Sequence, residues 1–152
     1  MTQKALSRPE LRLSFCMQLL VVPVTDNTAS TESSSTYKTY EHTAALPAEK
    51  MLWYRRHYLP NPEDWANPEA SPLFFPQEEF EKLPPAVVIV GELDVLRGEG
   101  EAYAQKLQNS GVKAEVHVMK GMPHPFLAMD GVLEAGKRAI TLLSEGLTSA
   151  FA

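Results

Sequence analysis

The feature that most constrains the fold of this chain is one continuous run of apolar, mostly β-branched residues, Ala86-Val-Val-Ile-Val90. The run follows Pro84-Pro85 and ends at Gly91, so residues that interrupt regular structure bound it on both sides. A run of this length is too short for a stable helix. Its lack of apolar and polar alternation is typical of a strand buried on both faces. We therefore predict a central strand of a parallel sheet.

A helix and a second strand are predicted directly after this strand. Residues 99–110 have helical character, with Glu99 and Glu101 near the helix start, where the helix dipole favours negative charge, and with Gly111 as the C-cap. We assign both glutamates to this dipole effect. The alternating segment 114–118 predicts a strand, and strand, helix and strand in this order form a right-handed βαβ unit with parallel strands.

The part of the chain before this unit predicts one more strand and one helix. Residues 16–22 are apolar and branched and stop at Pro23, which indicates a strand buried on both faces. Residues 25–36 are small and polar, and we predict a mobile surface loop there. Residues 47–85 divide into a helix that begins at Pro47 and a packed loop rich in proline and aromatic residues.

The end of the chain predicts a long helix over residues 133–148. Four apolar residues on one stripe are expected to cover a face of the sheet: Leu133, Ile140, Leu143 and Leu147. With 152 residues, the chain has the length of one domain. We assign residues 16–150 to one partial α/β domain and expect residues 1–15 to be a poorly ordered N-terminal segment.

Composition excludes several classes of partner and site. The chain has 14 basic and 19 acidic residues, and its longest basic run is Arg55-Arg56-His57. Nucleic-acid binding starts from a clustered positive field, so we expect no nucleic-acid partner. The single cysteine, Cys16, excludes an internal disulfide, and the scattered histidines lack zinc-ligand spacing. We therefore expect neither a metal nor a cofactor.

No segment of the sequence is long and apolar enough to predict a membrane span. The longest apolar run, residues 15–24, is interrupted by Gln18 and Pro23. Basic residues precede this run, as in a signal peptide, but Glu10 and Gln18 weaken that interpretation. The sequence favours a cytoplasmic location.

Two candidate catalytic residues follow the two strands of the βαβ unit. Ligands of open parallel sheets bind beyond the carboxyl ends of the strands, where Asp94 and His124 are expected. A carboxylate that fixes an imidazole, and an imidazole that moves a proton, form the supporting half of a nucleophilic triad. Each residue also has a structural alternative: Asp94 as a helix cap or loop carboxylate, and His124, which lies between two prolines, as a turn residue.

Four stretches of the chain match a known sequence pattern: residues 18–26 (QLLVVPVTD), 67–73 (NPEASPL), 85–101 (PAVVIVGELDVLRGEGE) and 121–126 (GMPHPF). Together they resemble α/β-hydrolases of the hormone-sensitive-lipase-like family of esterases and arylacetamide deacetylases. The resemblance covers about residues 16–147 and implies the C-terminal part of an α/β-hydrolase fold, with about three mainly parallel strands and flanking helices. It implies that Asp94 is the triad acid and His124 the general base.

The sequence departs from this family in what it lacks. It contains neither a Gly-x-Ser-x-Gly nucleophile motif nor a His-Gly-Gly-Gly oxyanion loop. The nearest string, residues 142–146, lacks the first glycine and lies in a predicted helix. Gly98 stands where the family usually has Asp, and Pro125 where it usually has Gly.

The resemblance implies part of a serine carboxylic-ester hydrolase that is inactive alone. A small ester or amide would be its substrate in a complete fold. The alternative is a non-catalytic half-domain that binds a partner or forms a homo-oligomer through an open sheet edge. Substrate-binding residues stay unassigned, because four candidate aromatic residues are more typical of a core: Trp53, Trp65, Phe74 and Phe75.

Overall fold

The computed structural model describes residues 14–151, so almost all of the predicted N-terminal segment 1–15 lies outside the described residues. The strands in this range are β1 (Gln18–Val21), β2 (Ala86–Gly91) and β3 (Ala114–Met119). The α-helices are α1 (Ser35–Thr39), α2 (Ala48–Tyr58), α3 (Gln77–Phe80), α4 (Arg97–Asn109) and α5 (Glu134–Ala150). Short 3-10 helices occur at Pro62–Asp64, Pro72–Phe74 and His124–Met129.

The three strands form a parallel sheet in the order β1-β2-β3. Ala86 of β2 pairs with Gln18 of β1 on one side and with Ala114 of β3 on the other. Every residue of β2 is buried, which confirms the predicted central strand. The prediction that the first strand is buried on both faces is met only in part: Leu20 packs against the core on one face and Leu19 on the other, but β1 lies at the edge of this sheet and residues 19–21 are half-buried.

The side chains of β2 alternate between two helical layers, as the geometry of a strand requires. Val88 and Val90 pack on one face against residues of α4, namely Tyr103, Ala104 and Leu107. Val87 and Ile89 point to the other face and pack against Ala139 and Leu142 of α5. The described residues thus form a sheet covered on both faces, and the expected α/β architecture with flanking helices is confirmed.

The predicted apolar stripe of the last helix is wrong for two of its four residues. Ile140 is 45% exposed and Leu147 is 49% exposed, whereas Leu133 and Leu143 pack partly against the core. The buried face of α5 consists of Gly136, Ala139, Leu142 and Gly146. Small residues let this helix approach the sheet closely: a Cβ on Gly146 would lie 3.1 Å from Val87 and 3.2 Å from Leu19.

The segment predicted as a mobile surface loop, residues 25–36, is anchored in its first half. Thr25, Asn27 and Ala29 are buried. The backbone N–H of Asn27 donates to the Ser71 hydroxyl at 2.7 Å, and the Asn27 amide donates to the Ala70 carbonyl at 2.7 Å. The Asn27 side chain is therefore used inward, where it satisfies a backbone carbonyl of the neighbouring loop at residue 70.

The two acidic residues at the start of α4 have different environments, which the dipole effect alone does not explain. Glu99 is buried and accepts the backbone N–H groups of Thr25 and Asp26 at 2.7 and 3.2 Å. Burial raises the pKa of Glu99 to about 8. Glu101 lies half-buried and pairs with Arg97 at 2.9 Å. Glu99 therefore joins the segment after β1 to α4.

The helices between residues 14 and 151 include none with the length and apolar character of a membrane span.

Candidate functional site

The loops that follow β2 and β3 lie side by side beyond the carboxyl edge of the sheet. The backbone N–H of Glu92 donates to the Met119 carbonyl, and that of Leu93 donates to the Met122 carbonyl, both at 3.0 Å. Gly91 allows this close approach, because a Cβ there would lie 2.5 Å from the Met122 oxygen. The parallel pairing of the sheet is thus extended into the two loops.

Asp94 and His124 meet at this edge through a hydrogen bond. His124 Nδ1 lies 3.0 Å from Asp94 Oδ2, at a distance and in a position suited to donation by the ring N–H. Asp94 is completely buried, and the side chain of His124 is 30% exposed. No described residue forms a hydrogen bond with Nε2 of His124, the ring nitrogen opposite the carboxylate.

This arrangement suits an imidazole that accepts and returns a proton. A carboxylate on Nδ1 selects the tautomer in which Nε2 carries a lone pair, and it stabilises the imidazolium that forms after proton transfer. The other oxygen of Asp94, Oδ1, accepts the backbone N–H of Leu96 at 3.0 Å. Asp94 therefore also caps the turn before α4, so the structural alternative coexists with the pairing to His124.

The segment that carries His124 is anchored in the core two residues further on. His124 begins a 3-10 segment in which Phe126 is buried in the core between the sheet and α5. Pro125 follows His124 with φ −86° and ψ 15°, a non-helical conformation that kinks this segment. His124 is thus restrained by the hydrogen bond of its ring to Asp94 and, along the chain, by the buried side chain of Phe126.

The remaining candidate residues lie elsewhere in the fold. Trp53 and Phe74 are exposed, and Trp53 stacks on His57 with ring centroids 4.0 Å apart along α2. His117 lies on β3, 3.8 Å from Glu115. The described part of the chain contains no group of three His, Cys, Asp or Glu residues that could hold a metal.

The serine of the string nearest to the nucleophile motif has the wrong local structure. Ser144 lies exposed in the middle of α5, where its carbonyl accepts the hydroxyl of Thr148. A nucleophile elbow needs a sharp turn from strand to helix. Ser144 is therefore part of an outer helix surface.

Sequence reasoning missed one side chain at this edge, that of Glu92. Its carboxylate contacts Lys120 and the backbone N–H of Gly121, each at 2.8 Å. A signal was present in the sequence, since Glu92 lies two residues before Asp94 and directly after β2.

The chain is similar to known hydrolases in family, in sequence and in structure. A family model described as alpha/beta hydrolase fold matches residues 1–128. An AB hydrolase superfamily protein of Schizosaccharomyces pombe is 48% identical over 136 residues, which are 90% of this chain and 40% of that protein. Ethyl acetate hydrolase of Pseudomonas putida is 30% identical over 145 residues, which are 95% and 42% of the two chains.

Solved esterase structures share the same architecture. A thermostable esterase from Pseudomonas putida ECU1011 superposes with a TM-score of 0.80 and 35% identity, covering 93% of this chain and 44% of the esterase. The carboxylesterase EstE1, cloned from a metagenomic library, superposes with a TM-score of 0.85 and 32% identity, covering 97% and 49%. The chain therefore spans less than half the length of these relatives.

Proposed function

Because the chain belongs to the alpha/beta hydrolase fold family, we propose that Asp94 and His124 are the acid and the base of a serine carboxylic-ester hydrolase. The observation that carries the proposal is the 3.0 Å contact between His124 Nδ1 and the buried carboxylate of Asp94. The esterases among the relatives support the class of reaction. The nucleophilic serine belongs to polypeptide outside these 152 residues.

The pair acts by moving one proton twice. His124 Nε2 takes the proton of the serine hydroxyl as its oxygen attacks the ester carbonyl, and the imidazolium then gives that proton to the departing alkoxide, which leaves as an alcohol. Water repeats the sequence on the acyl-serine and releases the carboxylic acid. Throughout, the Asp94 side chain accepts the hydrogen bond of Nδ1–H, so that Nε2 faces the reacting atoms.

This chain alone is expected not to hydrolyse a short-chain nitrophenyl ester. The acid and base have no serine to activate, and the chain lacks the oxyanion-loop motif that would supply stabilising donors. Hydrolysis by the purified chain that persists in His124→Ala would indicate a contaminant. Hydrolysis that disappears in His124→Ala would refute the assignment of the serine to residues outside these 152.

The decisive experiment follows the serine in the native source. An antibody against residues 99–118 isolates the protein, and a fluorophosphonate probe labels an activated serine in the isolated material. We expect a labelled band. Label on the band that the antibody recognises places serine and base in one polypeptide, and label on a second, co-isolated band places them in two. Absence of label and of ester hydrolysis would refute the proposal.

Variants of the labelled protein test the two roles. Asp94→Asn is expected to lower kcat by about 10⁴-fold, because the amide no longer selects the required tautomer. His117→Ala is the matched control, since this histidine lies on β3, outside the pair. Equal loss in both histidine variants, His117→Ala and His124→Ala, would refute the assignment of the base.

A second candidate function is that of a non-catalytic half-domain. The observation that favours it is the edge position of β1, which pairs with β2 on one side and with no other described strand. An unpaired edge with half-buried apolar residues is a template for strand pairing. Light scattering after size exclusion separates the two cases: a dimer supports self-association, and a monomer that unfolds cooperatively argues against it.

A further inference from the structure

The two loops that carry Asp94 and His124 are joined by the side chain of Glu92. Glu92 Oε1 accepts a hydrogen bond from Lys120 Nζ at 2.8 Å, and Oε2 accepts the backbone N–H of Gly121 at 2.8 Å. One carboxylate thus reaches from the loop after β2 to the loop after β3.

The turn that receives this carboxylate has an uncommon backbone conformation. Gly121 has φ +69°, in the left-handed region, and the N–H of Met122 donates to the Met119 carbonyl to close the turn. A hydrogen bond from the Gly121 N–H to an ionised acceptor fixes the peptide plane at this residue. His124 follows only three residues later, so a change in the orientation of this turn would move the backbone that carries the imidazole.

We propose that Glu92 is a positioning residue, which holds the imidazole of His124 against Asp94 by fixing the turn at Gly121. The inference rests on the proposed acid and base pair and deepens it. The Lys120 ammonium and the Gly121 N–H lower the pKa of the Glu92 carboxyl, so it is ionised at neutral pH. Both of its hydrogen bonds are therefore charge-assisted.

The two bonds of Glu92 differ in importance. The side chain of Lys120 is 81% exposed, and an ion pair in that environment adds little because water screens it. The bond to Gly121 joins the side chain to the backbone, so it restrains the loop itself. The competing explanation, a surface ion pair without a role in the site, requires the Lys120 contact to be the important one.

Three variants separate these explanations. Glu92→Ala removes both bonds. Glu92→Gln keeps an oxygen that accepts the Gly121 N–H but loses the charge that pairs with Lys120. Lys120→Ala removes the ion pair and leaves the Gly121 bond. If Glu92 positions the turn, only Glu92→Ala is expected to disturb the imidazole of His124.

The readout is the tautomer of the His124 imidazole in the full chain, measured from its ring nitrogen signals by ¹H–¹⁵N NMR. Wild type, Glu92→Gln and Lys120→Ala are expected to show the Nδ1–H tautomer. Glu92→Ala is expected to lose that single-tautomer signal and to show averaging of both ring nitrogens. Thermal unfolding of each variant verifies that the fold is kept.

An unchanged imidazole in Glu92→Ala overturns the inference, as does an equal loss in Lys120→Ala. If Glu92→Ala does not fold, Glu92→Asp replaces it, because its carboxylate is one methylene shorter and is withdrawn from Gly121. Averaging already present in wild type would overturn the proposed pair of Asp94 and His124, and this inference with it. If only the role of Glu92 is wrong, the wild-type signal still shows a single tautomer. Failure of this inference is therefore distinguishable from failure of the proposed pair.

Discussion

Replacing Glu99 with glutamine is expected to remove much of the pH dependence of this chain's stability. Glu99 is 6% exposed, and burial raises its pKa from the ordinary 4.5 to about 8. Its Oε1 accepts the N–H groups of Thr25 and Asp26, whereas Oε2 is buried and has no hydrogen-bond partner among the described residues. Glutamine keeps the acceptor, matches the shape of the protonated acid and does not titrate.

The sign and size of the effect follow from proton linkage. A carboxyl whose pKa is higher in the folded state than in the unfolded state keeps its proton longer when folded, so the free energy of unfolding falls as pH rises from 4.5 to 8. Each rise of one pH unit in that window lowers the free energy of unfolding by about 1.4 kcal/mol. Between pH 5 and pH 8, the ionisation of Glu99 alone therefore lowers it by about 4 kcal/mol, which is a large share of a total stability of about 5–15 kcal/mol.

The assay is urea unfolding at pH 5, 6, 7 and 8, followed by tryptophan fluorescence. Wild type and Glu99→Gln are expected to be similar at pH 5, and the glutamine variant is expected to be more stable by about 4 kcal/mol at pH 8. Glu101→Gln is the matched control, because that carboxylate is half-exposed and pairs with Arg97 at the surface. A constant difference between wild type and Glu99→Gln across this pH range would refute the reasoning.

Three further predictions concern packing. In urea unfolding, Leu142→Ala is expected to lower the free energy of unfolding by about 2–5 kcal/mol and Leu147→Ala by less than about 1 kcal/mol, since only Leu142 is buried. Equal losses would indicate that Leu147 is buried too, as the sequence predicts. Gly146→Val is expected to lower stability by about 1–3 kcal/mol, whereas Gly131→Val, in open space, is the tolerated control. Gly91→Ala is expected to separate the two site loops, which a lost Nδ1–H imidazole signal in NMR would report and a retained signal would contradict.

The central layer of the fold could be predicted from the sequence because its signals are local. The run Ala86-Val-Val-Ile-Val90 is apolar throughout, and β2 is buried throughout. The positions of Asp94 and His124 after their strands follow from the same local pattern, since parallel strands end at one edge of a sheet. The order of the strands and of these two residues along the chain is therefore enough to predict that both side chains lie at one edge of the sheet.

Two features could not be predicted because they depend on partners far away in the sequence. Glu99 looked like a helix-dipole residue, but it contacts the backbone of Thr25, 74 residues away. The predicted buried face of α5 is wrong because it rests on large apolar residues such as Ile140, which is exposed. The structure instead buries the small residue Gly146, which permits close contact with the sheet.

The sheet also implies an order in which its strands come together. β2 and β3 are joined by α4 alone, whereas β1 reaches its register with Ala86 only after the long segment from Pro23 to Pro85 has been closed into a loop. Closing a longer loop costs more chain entropy, and distant pairings slow folding. We therefore expect the βαβ unit to form first and β1 to dock last, so that the backbone amides of β1 are the first in the sheet to exchange with deuterium.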